Sequence, residues 1–377
     1  MASNLKDKLI TKAKDLKGKR VLLRLDLNVP IKEGVIAETF RIDSAVPTIE
    51  YLVKKGAKVI VVSHLGSDGE KSLAPVAEYL SKKFKTVFFP DLDNLFHISN
   101  LKNGDVAILE NIRRDAGEME NDPKTAKWLA SLADIYVNDA FAVSHRAQAS
   151  VVGVPKYLPG FVGPLFLSEY ENLSKAFKPK HPFLFILGGL KFQTKIPLLK
   201  KFITKADQIF IGGALANSFY KKLGYRIGES VFDPDSSGMT EFLAAKNLML
   251  PEDIVASVGS ESSVRQLEGI KSKEIIVDVG PDSLEKLKKE IKEAEFILWN
   301  GPLGFFEKGF TEATYEVAKA ITKSKAFSVI GGGDTIAAIS DLKLDKKFGF
   351  VSTAGGAMLE FLAEGTLPGI EAILKGR

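Results

Sequence analysis

FSVIGGGDT, residues 327–335, is an apolar run that stops on three glycines and an aspartate. The same punctuation recurs in FLFILGGLK (183–191), QIFIGGAL (208–215) and FILWNGPLG (296–304). Runs of Val, Ile, Leu and Phe without regular polar alternation are the mark of strands covered by helices on both faces of a parallel sheet. Glycine at the end of such a strand lets the backbone approach an anion closely, and a helix starting there adds its dipole. Several such ends side by side predict a polyphosphate ligand, and with it a nucleotide enzyme.

Outward from these four, the second half adds EIIVDV (274–279) and FGFVST (348–353) as strands. In the first half VLLRLDL (21–27), KVIVVSH (58–64), TVFF (86–89), DVAILEN (105–111) and IYVND (135–139) alternate with helical stretches. Between the two series lies GPLFLSEYENLSKAFKPKHP (163–182), where Phe166, Tyr170, Leu173 and Phe177 recur at helical spacing before Pro179 and Pro182. The expectation is an α/β protein of two Rossmann-like three-layer domains with parallel sheets, joined by an interdomain helix and a hinge. Parallel sheets bind ligands beyond the carboxyl ends of their strands, so functional residues should follow each run.

Length and composition agree with this. A chain of 377 residues fits two domains, and 45% hydrophobic with 26% charged residues is the balance of a globular protein. No run reaches the roughly 18 apolar residues of a membrane span. The lysine-rich N-terminus lacks a secretory pattern, which makes the cytoplasm the expected location. With no cysteine and four histidines, thiolate and histidine-built metal sites are disfavoured, leaving a hard cation held by carboxylate and phosphate. A net charge of +5 suits a small anion without indicating nucleic acid. Lys286, Lys288 and Lys289 alternate with glutamates and read as a solvated helix face.

At the strand ends of the second half, Gly188, Gly189, Gly212, Gly213, Gly301, Gly331, Gly332 and Gly333 would form one shelf. Asp334 is placed to meet a metal-phosphate, though an aspartate there is also an ordinary helix cap. Lys191 and Lys195, four apart, sit on one helix face or its entry and would supply cations to a transferring phosphoryl group. No Walker A pattern is present, and GGGDTI lacks the last glycine of the dinucleotide fingerprint. In the first half the strand ends carry Asp26, Asn28, His64, Arg113, His145 and Arg146, with Arg41 after the first strand. Arginine forks bind carboxylate and phosphate at two points, so this set suits a small acid bearing a phosphate. His64 is read as a hydrogen-bonding group for the substrate, since phosphoryl transfer needs positioning more than proton abstraction. His97 and His181 receive no role.

Nine segments, taken in order, resemble the signatures of the phosphoglycerate kinases over essentially the whole chain: RLDLNVP (24–30), FRIDSAVPTI (40–49), SHLG (63–66), LENIR (109–113), NDAFAVSHRAQAS (138–150), LGGLKFQTKI (187–196), WNGPLGFFE (299–307), GGGDT (331–335) and VSTAGGAMLEFLAEGTLPGI (351–370). The resemblance implies reversible, magnesium-dependent phosphoryl transfer from 1,3-bisphosphoglycerate to ADP, giving 3-phosphoglycerate and ATP. By likeness, residues 1–165 hold the glycerate through Asp26, Asn28, Arg41, His64, Leu65, Gly66, Ser67, Arg113 and Arg146. An interdomain helix would occupy 166–180. Residues 181–362 would hold the nucleotide through Gly189, Lys195, Gly213, Gly301, Glu307, Gly332, Gly333, Asp334 and Thr335, with Glu307 at the ribose and Asp334 near magnesium. The segment from about 363 to 377 would return to the first domain. Arg41, Lys191, Lys195, Gly355 and Gly356 would serve the transferring phosphoryl group, reached by hinge closure in a monomer that needs neither nucleic acid nor membrane.

The chain departs from the family pattern after SHLG, where Ser67, Asp68 and Gly69 stand in place of the usual Arg and Pro, so that one substrate-side cation is missing. Leu190, Thr194, Gln148, Ala214 and Ala354 are further departures, the two alanines adding a methyl near ligand-facing backbone. A nicotinamide dehydrogenase is a rival two-lobed reading, but its fingerprint and acidic ribose anchor are absent. A second rival is a catalytically impaired relative binding nucleotide or RNA as a regulatory module; retention of Arg41, Lys195 and Asp334 together argues against it.

Overall fold

The computed structural model describes residues 2–235 and 237–377. The chain divides into two compact units, Met1–Glu171 with Thr366–Arg377, and Asn172–Gly365.

The first unit is built on strands β1 (Arg20–Arg24), a hairpin of β2 (Ile31–Lys32) and β3 (Val35–Ile36), then β4 (Lys58–Val62), β5 (Thr86–Phe89), β6 (Val106–Leu109), β7 (Ile135–Asn138) and β8 (Gly160–Val162). Its six-stranded sheet has the order β5-β6-β4-β1-β7-β8, and every pairing in it is parallel. Buried Val59, Val61, Ile108 and Val137 of the sheet share a core with Ile42, Ile49 and Leu52 of the helix Phe40–Lys54. The C-terminal helix Pro368–Lys375 also buries Ile370 and Ile373, and the Gly369 amide donates to the Ser144 carbonyl at 2.8 Å.

The helix Pro164–Ser174 starts where Asp139, just beyond β7, accepts the Phe166 amide at 2.8 Å and a hydrogen bond from the Thr48 hydroxyl. Burial pushes the Asp139 acid up to about 6. The helix ends earlier than the 166–180 expected from the apolar spacing. One 3-10 turn, Lys175–Phe177, follows it, and Lys178 leaves the helical region because the residue before a proline is crowded there.

The second unit holds β9 (Phe183–Leu187), β10 (Gln208–Ile211), β11 (Leu248–Met249), β12 (Asp253–Val258), β13 (Glu261–Gln266), β14 (Ile275–Val279), β15 (Phe296–Asn300), β16 (Phe327–Gly331) and β17 (Phe350–Val351). A parallel sheet runs β11-β10-β9-β15-β16-β17. Aromatic rings lock its lower end, with Phe183 meeting Phe202 and Phe296 edge-on at 5.8 and 5.3 Å.

One strand lies elsewhere than the sequence suggested. Ile275–Val279 joins an antiparallel sheet of order β13-β12-β14 rather than the parallel one. The β12–β13 connection turns through Gly259 and Ser260, with Gly259 at φ +60°, as a two-residue hairpin demands. A short apolar run reads alike in either sheet, and only its partners distinguish them.

Candidate functional site

Loops at the carboxyl ends of β1, β4, β6 and β7 collect the polar residues of the first unit. Asn28 Oδ1 accepts the Gly66 amide at 3.0 Å, tying the loop after β1 to the loop after β4. Asn111 Nδ2 donates to the Leu65 carbonyl at 2.6 Å, adding the loop after β6. Asp26 forms an ion pair with Arg41 at the start of helix Phe40–Lys54. Arg113 donates through Nη1 to the Gly66 carbonyl, while its Nε and Nη2, both buried, have no hydrogen-bond partner.

His64 lies inside this cluster. It is 3% exposed, and burial together with the positive charges of Arg24, Arg113, Arg146 and Arg41 pushes its pKa down to about 2. The imidazole is therefore neutral throughout the physiological range. Arg146 is exposed, with its Nε donating to His145 Nε2 at 3.3 Å. Ser67 is exposed and donates to Asp68, so it offers a hydroxyl where the resemblance would place a cation. Gly69 is fixed by packing: at φ +85°, a Cβ there would come within 2.6 Å of the Arg113 carbonyl oxygen. The sequence reading missed Arg24, a 1% exposed guanidinium within β1. A charge in the middle of the apolar run VLLRLDL (21–27) was the signal that could have marked it.

In the second unit the strand-end glycines gather as expected, but their backbone amides are differently employed. Gly189 N donates to the Pro302 carbonyl, Gly213 N to the Leu303 carbonyl and Gly301 N to the Thr335 hydroxyl, at 3.0, 2.9 and 2.9 Å. These amides cannot cradle a phosphate. At two of the three the missing side chain serves instead to let neighbouring loops touch: a Cβ on Gly213 would meet the Pro302 carbonyl oxygen at 2.8 Å, and one on Gly301 would press on the Gly188 carbonyl. Amides without an intrahelical partner open the helix Gly333–Asp341, which begins after Gly332 at φ +103°, and the helix Gly356–Glu364, which begins after Gly355 at φ +54° and where the Ala357 amide is held by the Ala354 carbonyl at 3.1 Å.

Lys195 stands at the entry of helix Ile196–Phe202, 8% exposed, and donates to Asn300 Oδ1 at 2.5 Å. Asn300 Nδ2 is buried without a partner. Burial lowers the Lys195 pKa to about 8, against a smaller opposing pull from Asp334. Lys191 is exposed in the loop before it, so the two lysines do not share a helix. Asp334 and Glu307 are exposed, and Asp334 is the second residue of its helix, whose N-cap is Gly332, so the ordinary capping explanation does not apply. Beside them a cavity is lined by Gly189, Gly213, Asn217, Tyr220, Leu303, Glu307 and Asp334, with Ile254, Val277 and Val279 of the antiparallel sheet as an apolar wall. That wall was not legible as a site in the sequence.

The depressed Lys195 pKa has a measurable sign. Between pH 8 and about 10.5 the unfolded chain holds a proton that the folded one has released, so stability rises with pH in that window. Relative to Lys195→Met, the wild type should gain about 3 kcal/mol across it, at about 1.4 kcal/mol per pKa unit. Parallel denaturation curves of the two proteins at pH 7.5 and 10 would show it; an unchanged difference would mean that Lys195 is not desolvated.

Such chemistry moves a phosphoryl group between a nucleotide and a small anionic acceptor, which places the protein among the two-unit α/β phosphotransferases. The phosphoglycerate kinase family profile matches residues 10–365. The chain is 44% identical to the phosphoglycerate kinase of Dictyoglomus turgidum, over 95% of this chain and 96% of that one, and 41% identical to that of Francisella philomiragia, over 97% and 98%. Its structure is similar to that of the phosphoglycerate kinase from Coxiella burnetii, with TM-score 0.87 and 39% identity over 97% and 98% of the two chains. The chain belongs to the phosphoglycerate kinase family.

Proposed function

We propose that the polar cluster of the first unit is the glycerate site and the glycine-bounded cavity of the second the nucleotide site. The protein catalyses reversible phosphoryl transfer from 1,3-bisphosphoglycerate to ADP, yielding 3-phosphoglycerate and ATP. The observation that carries the assignment is Arg113, whose two unpartnered buried nitrogens lie with three further arginines around a neutral histidine. Buried donors without a partner are costly, and a phosphate or carboxylate supplies the missing acceptors.

Around that acceptor, Asp26, Asn28, His64, Leu65, Gly66, Ser67 and Arg146 complete the glycerate site, and Arg41 meets the phosphoryl group on this side. On the nucleotide side, Lys191, Lys195 and the amides around Gly355 and Gly356 meet it, the base lies against Val277 and Val279, and Glu307 reaches the ribose. Asp334 holds magnesium. Among the described residues no group of three or more His, Cys, Asp or Glu is arranged to bind a metal. One carboxylate on an exposed helical turn suits a magnesium ion that arrives on phosphates and keeps several waters. When bound, the ion neutralises phosphate charge. The protein works as a monomer in the cytoplasm, and hinge closure brings the reacting oxygens into line. No nucleic acid takes part, and among the described residues no helix is long and apolar enough to cross a membrane.

ADP formation from magnesium-ATP, measured with and without 3-phosphoglycerate, tests the reading. ADP release that requires 3-phosphoglycerate is expected, and it would show that Ser67 is tolerated. Nucleotide binding without acceptor-dependent turnover would instead point to the regulatory module.

A further inference from the structure

Behind His64 runs a buried polar chain that the glycerate site does not account for. Arg24 Nη2 lies 3.4 Å from His64 Nδ1, Arg24 Nη1 donates to the Leu25 carbonyl, and Arg24 Nε donates to the Ser150 hydroxyl at 2.9 Å. The Ser150 hydroxyl donates onward to Glu118 Oε1 at 2.6 Å, and the Ser150 amide donates to Glu118 Oε2 at 2.8 Å. All of it is buried: Arg24, Ser150 and Glu118 are at most 1% exposed. Ser150 lies in a π-helical turn, Ala149–Gly153, whose backbone is pinned by the Tyr136 hydroxyl donating to the Ser150 carbonyl at 2.6 Å. Such turns are rare and concentrate at functional sites.

The direction of these bonds is forced. A guanidinium has only donors, so the nitrogen of His64 facing Arg24 must accept, which leaves the single imidazole proton on Nε2. We infer that Glu118 and Ser150 are positioning residues which act through Arg24 to hold His64 as the Nε2–H tautomer, so that a substrate oxygen always meets a donor there. Without the Ser150 hydroxyl, Arg24 Nε is left unpartnered in the interior and the Leu25 carbonyl alone holds its fork, which loosens its aim at His64. Glu118 supplies the negative charge that balances the buried guanidinium, relayed by one hydroxyl rather than by direct contact. The inference rests on the assignment of His64 to the glycerate site, but the tautomer can be observed without any substrate.

Nitrogen NMR of 15N-histidine-labelled protein, with His64 assigned by its loss in His64→Gln, reads the tautomer directly. In the wild type from pH 6 to 8, His64 Nδ1 should be unprotonated and Nε2 protonated, with no titration; a protonated Nδ1 overturns the inference before any variant is made. In Ser150→Ala, a small deletion that the turn should survive, the two nitrogen signals should move toward one another as both tautomers become populated. KM for 3-phosphoglycerate should rise about tenfold while KM for magnesium-ATP stays within about twofold, one decade being the loss of one hydrogen bond at about 1.4 kcal/mol. Ser150→Ala signals identical to wild type, or a parallel rise of both KM values, would reduce the chain to a packing feature. Should the wild type show the expected tautomer but no acceptor-dependent turnover, the catalytic assignment fails while the tautomer control stands.

Discussion

Arg41→Ala should lower kcat by about 10³ to 10⁵, the range for an arginine that stabilises charge on a transferring phosphoryl group. The structure makes this a test of chemistry rather than of folding. Arg41 sits on the first turn of helix Phe40–Lys54, its side chain a third exposed, and pairs with Asp26. Losing the partner of the 11% exposed Asp26 carboxylate costs about 1 to 2 kcal/mol of stability. The predicted loss of turnover corresponds to about 4 to 7 kcal/mol of barrier, far more than the fold can feel. Kinetics should therefore separate from denaturation, with kcat collapsing while the melting temperature falls by only a few degrees. Arg41→Lys should recover little, because a point charge cannot reproduce the two-pronged fork. A hundredfold or smaller loss for Arg41→Ala would remove Arg41 from the transferring group and leave it an anchor for Asp26.

The parallel sheets were legible because strands buried on both faces must be apolar throughout, and glycine must follow where loops crowd together. FLFILGG and FSVIGGG expose both requirements in the sequence itself. Strand ends were read too long for the same reason: Leu25 and Leu27 are buried, yet β1 stops at Arg24, so burial continues past the ladder into the loop that carries Asp26 and Asn28. Ile275–Val279 was assigned to the wrong sheet because pairing depends on distant residues, here Ile254 to Ser257. The candidate site divided likewise. Residue types and strand-end positions announced Arg41, His64, Arg113, Lys195 and Asp334, and a charge inside an apolar run could have marked Arg24, whereas the apolar wall of Ile254, Val277 and Val279 and the orphaned nitrogens of Arg113 depend on three-dimensional neighbours that no local pattern encodes.

The strand-end glycines give the second large effect, and they separate two reasons for glycine that the sequence could not distinguish. Gly301 and Gly189 both have positive φ, +97° and +81°. Around Gly189 an added Cβ would meet nothing within 4 Å, so Gly189→Ala carries only the backbone cost of about 1 kcal/mol. At Gly301 the added carbon would press on the Gly188 carbonyl and come within 2.9 Å of Gly189 N. Neither neighbour can yield alone, because Gly188 N is held by the Asn300 carbonyl at 2.9 Å and Gly189 N by the Pro302 carbonyl at 3.0 Å. Relief requires prising the ends of β9 and β15 apart, which also withdraws Asn300 from Lys195. Gly301→Ala should therefore cost about 3 kcal/mol or more of stability, combining strained backbone with a buried backbone clash. Nucleotide affinity should fall with it. Denaturation and ATP titration of the two alanine variants side by side decide the matter: comparable stability losses would mean that the strand ends are compliant, and the glycines would then be kept for the ligand rather than for the packing.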